Sequence, residues 1–453
     1  MIQKTYWKGM ALLMMSMSLG GYGQNPIVPN QGLNDPHIHI FNDTAYVYAS
    51  HDKSSDNTSF IMEDWWIWSS PDLVTWKKES VLKPEQTYIN QPFNGCWATD
   101  VAYRNGHYYW YFSEKNEQTG VVVGDTPTGP WKDVLGKPLL SKDLTPTHEY
   151  DMAIFEEDGE HYIIFGVWDY YIAKLNYDMV SLAETPKKIE IRNPRGPYNQ
   201  DGLNKDKPTD DKPFVHKYKN KYYLSWGCFY AMSDNLYGPY DYRDAIIDDS
   251  SFADGYDAPT WPNGFLQGRH GSFFEWHNQW YFAYCDISQT GNRYFRDTFI
   301  SYVHYKDNGE MAKIRVDGVG VGRYKAKEGG IEAEDYFKAE GIRKVELEDG
   351  GFAVETKANK SYLFFPNIEG IENFKSLQLS LRSTDKGGFD IKIASSLDEG
   401  EVSSKKIQLD NSSPKVSVLE MPLPKSFDRG GIYIMIEQQS ETPLQIDKFT
   451  LKI

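Results

Sequence analysis

The sequence predicts an all-β chain: a five-bladed β-propeller followed by a β-sandwich of jelly-roll type. Two observations carry this expectation. One strand–turn–strand element recurs five times in the first two thirds of the chain. Beyond about Lys325 the sequence changes to alternating polar and apolar runs, and no Trp follows Trp280. Repeats of this kind mark arrays of one supersecondary unit, and alternation marks strands with one buried and one wet face.

The five copies begin at Asp35, Asp100, Asp151, Lys212 and Gly271, spaced by 65, 51, 61 and 59 residues, enough for four strands each. Each copy turns on Asn42-Asp43, Asn105-Gly106, Asp158-Gly159, Lys219-Asn220 or His277-Asn278. Asn, Asp and Gly tolerate the positive φ of hairpin turns, and the aromatic flanks suit strands. A further element recurs as Ser70-Pro-Asp-Leu-Val-Thr-Trp, Gly124-Asp-Thr-Pro-Thr-Gly-Pro-Trp and Ser233-Asp-Asn-Leu-Tyr-Gly-Pro-Tyr. Five four-stranded sheets set radially leave only short, protected edges. The second unit shows its alternation in Lys375-Ser-Leu-Gln-Leu-Ser-Leu-Arg.

Residues 1–23 pair Lys4 and Lys8 with an apolar run from Met10 through Leu19 and then small residues, the pattern of a secretory signal. The expected organisation is a signal over 1–23, a propeller over 24–324 and a sandwich over 325–453. The apolar run is shorter than a spanning helix needs and no Cys follows it to carry a lipid, so a soluble exported protein is expected, periplasmic or extracellular. Net charge is −16, which argues against nucleic acid or an anionic membrane as partner. Aromatic residues make up 15% of the chain, suited to β cores and to sugar faces alike. Cys96, Cys228 and Cys285 allow at most one disulfide, and buried thiols are the expectation.

The first strand of every propeller blade lines the central channel, so residues at the same place in each repeat converge at one mouth. Asp35, Asp100, Asp151 and Asp211 take those places. Carboxylates crowded into a partly dry pocket push one another's pKa values apart, leaving one ionised as a base while another keeps its proton. That is the equipment of glycoside hydrolysis.

These residues resemble glycoside hydrolase family 43, whose catalytic domain is a five-bladed propeller of inverting enzymes; the likeness spans roughly residues 30–320. It implies that Asp35, in Asn34-Asp35-Pro36, activates water, and that Asp151 tunes and orients the acid. Where the family shows Glu-Gly-Pro, this chain reads Asp211-Lys212-Pro213. Asp211 is then the acid on a stem one carbon shorter, with Glu149 the alternative donor. Lys212 holds a carboxylate or a substrate oxygen, or is simply solvated. His270, in Arg269-His270-Gly271-Ser272, resembles the family histidine that points into the channel as a ligand of a metal ion or its water; the alternative is a core histidine. Arg296 resembles the arginine that grips the sugar beside the cleaved bond, and Asp100 joins the substrate-binding set. Trp97 and Trp168 stack on sugar or fill the core.

The sandwich resembles a family 6 carbohydrate-binding module, beginning Ile331-Glu332-Ala333-Glu334-Asp335-Tyr336 and ending Gln445-Ile446-Asp447-Lys448-Phe449. The likeness implies a structural Ca2+ held by Glu332, Glu334 and Asp447, an all-oxygen set; a solvated acidic strand is the alternative. Without Trp, the module keeps Tyr362, Phe364 and Phe365. No organic cofactor is expected. The reading is an exported glycosidase acting on an oligo- or polysaccharide of plant origin, exo-acting and α-L-arabinofuranosidase first, with β-xylosidase and β-galactofuranosidase beside it. The other class open to this sequence is a noncatalytic glycan-binding propeller.

Overall fold

The computed structural model describes residues 25–197, 207–253, 269–287, 290–326, 330–348, 350–383, 386–397, 402–409, 417–424, 431–439 and 441–453. The expected signal over 1–23 lies outside them.

Blade one is an antiparallel sheet of β1 (Leu33–Phe41), β2 (Thr44–Asp52), β3 (Met62–Ser70) and β4 (Lys77–Leu82). Blade two holds β5 (Cys96–Arg104), β6 (His107–Glu114), β7 (Gln118–Gly124) and β8 (Lys132–Asp133). Blade three holds β9 (Ala153–Glu157), β10 (Glu160–Phe165), β11 (Tyr171–Lys174) and β12 (Lys187–Lys188). β13 (Ile191–Arg192) runs parallel on the outer edge of blade four, beside β14 (Pro213–Tyr218), β15 (Lys221–Trp226), β16 (Phe229–Ser233) and β17 (Tyr240–Ala245). Blade five has β18 (Gly271–Trp276), β19 (Gln279–Asp286) and β20 (Asp297–Val303).

The inner strands touch in a closed ring, β1 to β5, β5 to β9, β9 to β14, β14 to β18 and β18 back to β1. The segment just before β1 closes the circle. Ile27 N donates to Thr298 O at 2.9 Å, and Asn25 exchanges hydrogen bonds with the backbone of Ile300, so residues 25–28 flank β20, the outermost of the three strands that blade five shows among the described residues. Closure of a sheet array with chain from its other end ties the first and last blades into one core.

Each inner hairpin opens its turn with a left-handed residue: Asn42, Asn105, Asp158, Lys219 or His277, with φ between 50° and 55°. Between the blades lie aromatic cores, with Trp65, Trp110 and Trp226 fully buried. The three cysteines are free, buried thiols.

The second unit packs a sheet built on Ile342–Glu346, Phe352–Thr356, Leu444–Lys452, Ser376–Ser383 and Ser417–Pro422 against one of Lys338–Glu340, Lys360–Pro366, Gly431–Gln438, Gly387–Ala394 and Val402–Leu409. Leu377, Leu379, Leu381, Ile391, Ile393, Ile432, Ile434 and Ile436 supply its core from alternate positions, as the period of two requires. A polar seam joins it to blade five. Gln279 Nε2, fully buried, donates to Glu334 O at 2.8 Å and Tyr336 O at 2.9 Å, and His304 Nε2 lies 3.0 Å from Asp335 Oδ1.

Candidate active site

Counting back seven residues from the left-handed residue of each hairpin turn gives Asp35, Ala98, Asp151, Lys212 and His270. Asp35, Asp151 and Lys212 are themselves left-handed, with φ of 47°, 55° and 53°, so three blades repeat one kink at the head of the inner strand. Asp adopts that conformation readily; for Lys it costs about 1–2 kcal/mol. His270 is placed by Gly271, where a Cβ would meet Ala283 O at 1.7 Å, and by the fully buried pair of Arg269 with Asp286 at 2.8 Å.

Asp35 is buried beside Arg296, whose Nη1 lies 3.2 Å from its Oδ1, and its Oδ2 accepts from Ser50 Oγ at 2.8 Å. Burial alone would raise this carboxyl, but Arg296 above all, then Lys212, His270 and the Ser50 hydroxyl, outweigh it and hold it below the usual carboxylate range. Asp151 is the reverse case. Burial and then the neighbouring Asp211 push its carboxyl well above the usual range, against the pull of Lys212. Asp210, buried and adjacent in sequence to Asp211, is raised by burial and then by Asp211.

Asp211 faces outward more than the rest, its side chain 28% exposed, with Oδ1 2.7 Å from His270 Nε2 and Oδ2 3.5 Å from the Tyr150 hydroxyl. His270 also lies 3.7 Å from Asp210 and from Asp35. Burial would depress its basicity, yet Asp211 and Asp210 raise it well above the ordinary value. Lys212 is 1% exposed, and its Nζ has no hydrogen-bond partner among the described residues. It acts on Asp35 and Asp151 through its charge.

Several expectations are corrected here. Asp100 stands five residues before its turn, where Asp35 and Asp151 stand seven and Asp211 eight. On a strand that is the same face one layer deeper, and it is fully buried there against His37 and His39, away from a sugar. Arg296 is 5% exposed and spent on protein: Nε and Nη2 clasp Asp52 at 3.0 and 3.1 Å and Nη1 takes Asp35, so it serves the base and leaves no fork for a sugar. Glu149 is buried and accepts from Asp143 N, Thr145 N and Thr145 Oγ1, a loop anchor and not a spare acid. Trp97 is half-buried, its ring 6.0 Å from that of Tyr150 and 6.3 Å from that of Phe60. Trp168, also half-buried, holds the loop of Asp210 through backbone bonds to Asp210 O and from Thr209 Oγ1.

Asp151, Asp211 and His270 each bring a ligand atom to within 4.8 Å of the others. The chemistry there does not suit a calcium ion. Two carboxylates and one imidazole are not the all-oxygen set of that hard cation, and His270 Nε2 is already paired with Asp211 Oδ1 at 2.7 Å. In the sandwich, Glu332, Glu334 and Asp447 form no three-ligand group among the described residues. Glu334 is pushed up to about 9 by burial and then by Asp335, and a carboxyl in that state is a poor calcium ligand.

Sequence reading missed Ser50, Asp52, Tyr150 and Asp210. Only Asp210, adjacent to Asp211, carried a local signal.

One carboxyl held below the usual range and one pushed above it, at the mouth of a five-bladed propeller, suit acid–base hydrolysis of a glycosidic bond. The sequence model of glycosyl hydrolases family 43 matches residues 23–311, and the chain belongs to that family: it is a glycosidase acting on plant polysaccharide. A xylosidase/arabinosidase of Bacteroides ovatus is 25% identical over 64% of this chain and 96% of its own length. A β-D-galactofuranosidase of Aspergillus niger is 26% identical over 66% of this chain and 86% of its own. Among solved structures, an arabinoxylan arabinofuranohydrolase from Bacillus subtilis in complex with cellotetraose superposes with a TM-score of 0.53 at 20% identity, over 95% of this chain and 97% of that one; the fold is shared across both units. A β-xylosidase/α-arabinofuranosidase from a compost metagenome, described with xylotriose in a calcium-free form, gives 0.52 at 26% identity over 65% and 98%.

Proposed function

We propose that this glycosidase is an exported, exo-acting, inverting enzyme that removes α-L-arabinofuranosyl side groups from plant polysaccharide. The relatives named xylosidase/arabinosidase and galactofuranosidase make β-xylosyl and β-galactofuranosyl groups the next substrates to try. The observation that carries the reading is the contrast between Asp35, whose carboxyl Arg296 holds low, and Asp151, whose carboxyl burial and Asp211 push up.

In the mechanism that follows, Asp35 takes a proton from water as that water attacks the anomeric carbon. Asp211, the carboxyl most open to the mouth, delivers a proton to the leaving oxygen. Its supply is the set of protons held beside it on Asp151 and His270. Its stem is about 1.5 Å shorter than that of a Glu, and the outward exposure of Asp211 brings the substrate oxygen to it. Arg296 and Ser50 orient the base, and Lys212 adds positive charge between base and acid cluster.

Release of sugar from 4-nitrophenyl α-L-arabinofuranoside, β-D-xyloside and β-D-galactofuranoside by the wild type and Asp35→Asn tests this. One glycoside hydrolysed by the wild type and spared by the variant supports it. Cleavage of none, together with binding of arabinoxylan oligosaccharides, would favour the glycan-binding propeller instead.

A further inference from the structure

At the end of the channel away from the acidic ring, where the five inner hairpins turn, the inner strands of all five blades enclose a cavity of about 510 Å³. That lies within the span of about 300–1,000 Å³ usual for small-molecule sites. Three aromatic side chains edge it: Phe41 of β1, Tyr103 of β5 and Trp280 of β19. None of them is fully buried, and Tyr103 is 45% exposed, its ring propped 4.9 Å from that of Tyr108 and 6.4 Å from that of Phe41. Two exposed carboxylates stand between the aromatics, Glu156 of β9 and Glu275 of β18. Partial burial raises the Glu275 carboxyl, with no opposite charge or hydrogen bond to answer it. Lys217 lines the cavity as well, but its ammonium is spent on Glu157.

We propose that this second mouth is a noncatalytic binding site for a neutral oligosaccharide, a segment of the same polysaccharide; in this the inference rests on the substrate proposed above. A sugar ring offers an apolar C–H face and a rim of hydroxyls. The aromatic edges take the face, and the carboxylates accept from adjacent hydroxyls in charge-assisted hydrogen bonds. An anionic ligand finds two unanswered carboxylates and a lysine already paired, so charge excludes it. The site takes no part in the acid–base chemistry, which lies at the other end of the channel. With a saccharide site at each mouth, the protein holds one stretch of polymer while it cleaves another, and tethering raises the local concentration of cleavable ends.

The test is titration calorimetry of xylohexaose and α-1,5-linked arabinohexaose into the full-length mature protein carrying Asp35→Asn, so that neither saccharide is cleaved. The expected result is a binding event that is lost or weakened by about tenfold or more when Tyr103→Ala or Glu275→Gln is added. Glu275→Gln, a conservative change at an exposed position, keeps the test valid if Tyr103→Ala does not fold. Identical isotherms with and without these changes would overturn the proposal by putting all of the saccharide in the acidic ring. So would failure of both saccharides to bind, or binding of putrescine in their place, which would make the carboxylates a cation site. Hydrolysis of a 4-nitrophenyl glycoside by the wild type, with no binding that depends on Tyr103 or Glu275, would remove this site and leave the glycosidase reading standing.

Discussion

Arg296 reaches Asp35 with a single nitrogen, Nη1 at 3.2 Å, because its other two nitrogens and its backbone N–H are committed to Asp52. Asp52 is thus the anchor and Asp35 the beneficiary. A Lys at position 296 offers a point charge in place of a planar fork and cannot serve both. Arg296→Lys should let the pKa of Asp35 rise, moving the acidic limb of the kcat/KM profile to higher pH by about one unit, with a loss that approaches about tenfold only on the limb itself and is small at pH 7. A pH profile with an unchanged acidic limb would sink this role.

Lys212 combines a left-handed backbone with a buried ammonium that no described residue hydrogen-bonds. Both features cost stability, and both vanish in Lys212→Gly. The variant should melt no lower than wild type, since about 1–2 kcal/mol of backbone strain is relieved. Its activity should fall, because Asp35 loses one of the charges that keep it ionised. Calorimetry beside steady-state kinetics separates the two effects.

Asp211→Asn removes the carboxyl through which the proton passes from Asp151 and His270 to the leaving oxygen. Loss of general-acid catalysis is expected at about 10²–10⁴-fold in kcat on natural oligosaccharides. On a 4-nitrophenyl glycoside, whose leaving group needs little protonation, the loss should be far smaller. Equal losses on both substrates would place the acid elsewhere.

The two aspartates give opposite pH dependences. Asp35 is lowered on folding, so its contribution to stability is present above the ordinary carboxylate pKa and is lost as pH falls through the depressed folded value. Asp151 is raised, so the folded state holds an extra proton above pH 4, and stability declines as pH climbs from there through the raised value. Asp151→Asn should therefore raise the Tm at pH 8 more than at pH 4 while reducing turnover, measured by melting at both pH values.

Gln279 spends its amide on two backbone carbonyls of the sandwich. Gln279→Ala strands both acceptors and should cost about 1–3 kcal/mol, read as a lower urea midpoint. If the midpoint holds, the seam contributes little.

The propeller was legible because each hairpin repeats its turn chemistry and aromatic flanks within a few residues, and Leu377, Leu379 and Leu381 showed the sandwich by alternation. Asp35, Asp151, Asp211 and His270 were found, and the structure brings them together. Asp100 was set in the ring by matching Asp to Asp; matching turn to turn would have put Ala98 there and Asp100 a layer deeper. Closure of blade five by Asn25 and Ile27 was invisible, since it joins positions more than 270 residues apart. A separation of 244 residues hid Asp52: nothing local to Ser50 or Asp52 shows that Arg296 will land between Asp52 and Asp35.

The most direct test of Asp35 as the water-activating base is azide rescue of Asp35→Ala, followed by NMR on the α-L-arabinofuranoside. The account predicts a variant nearly inactive in buffer that regains turnover with azide and yields a glycosyl azide of inverted configuration. An Asp35→Ala enzyme that still releases arabinose at the wild-type rate, or an azide product of retained configuration, would contradict it.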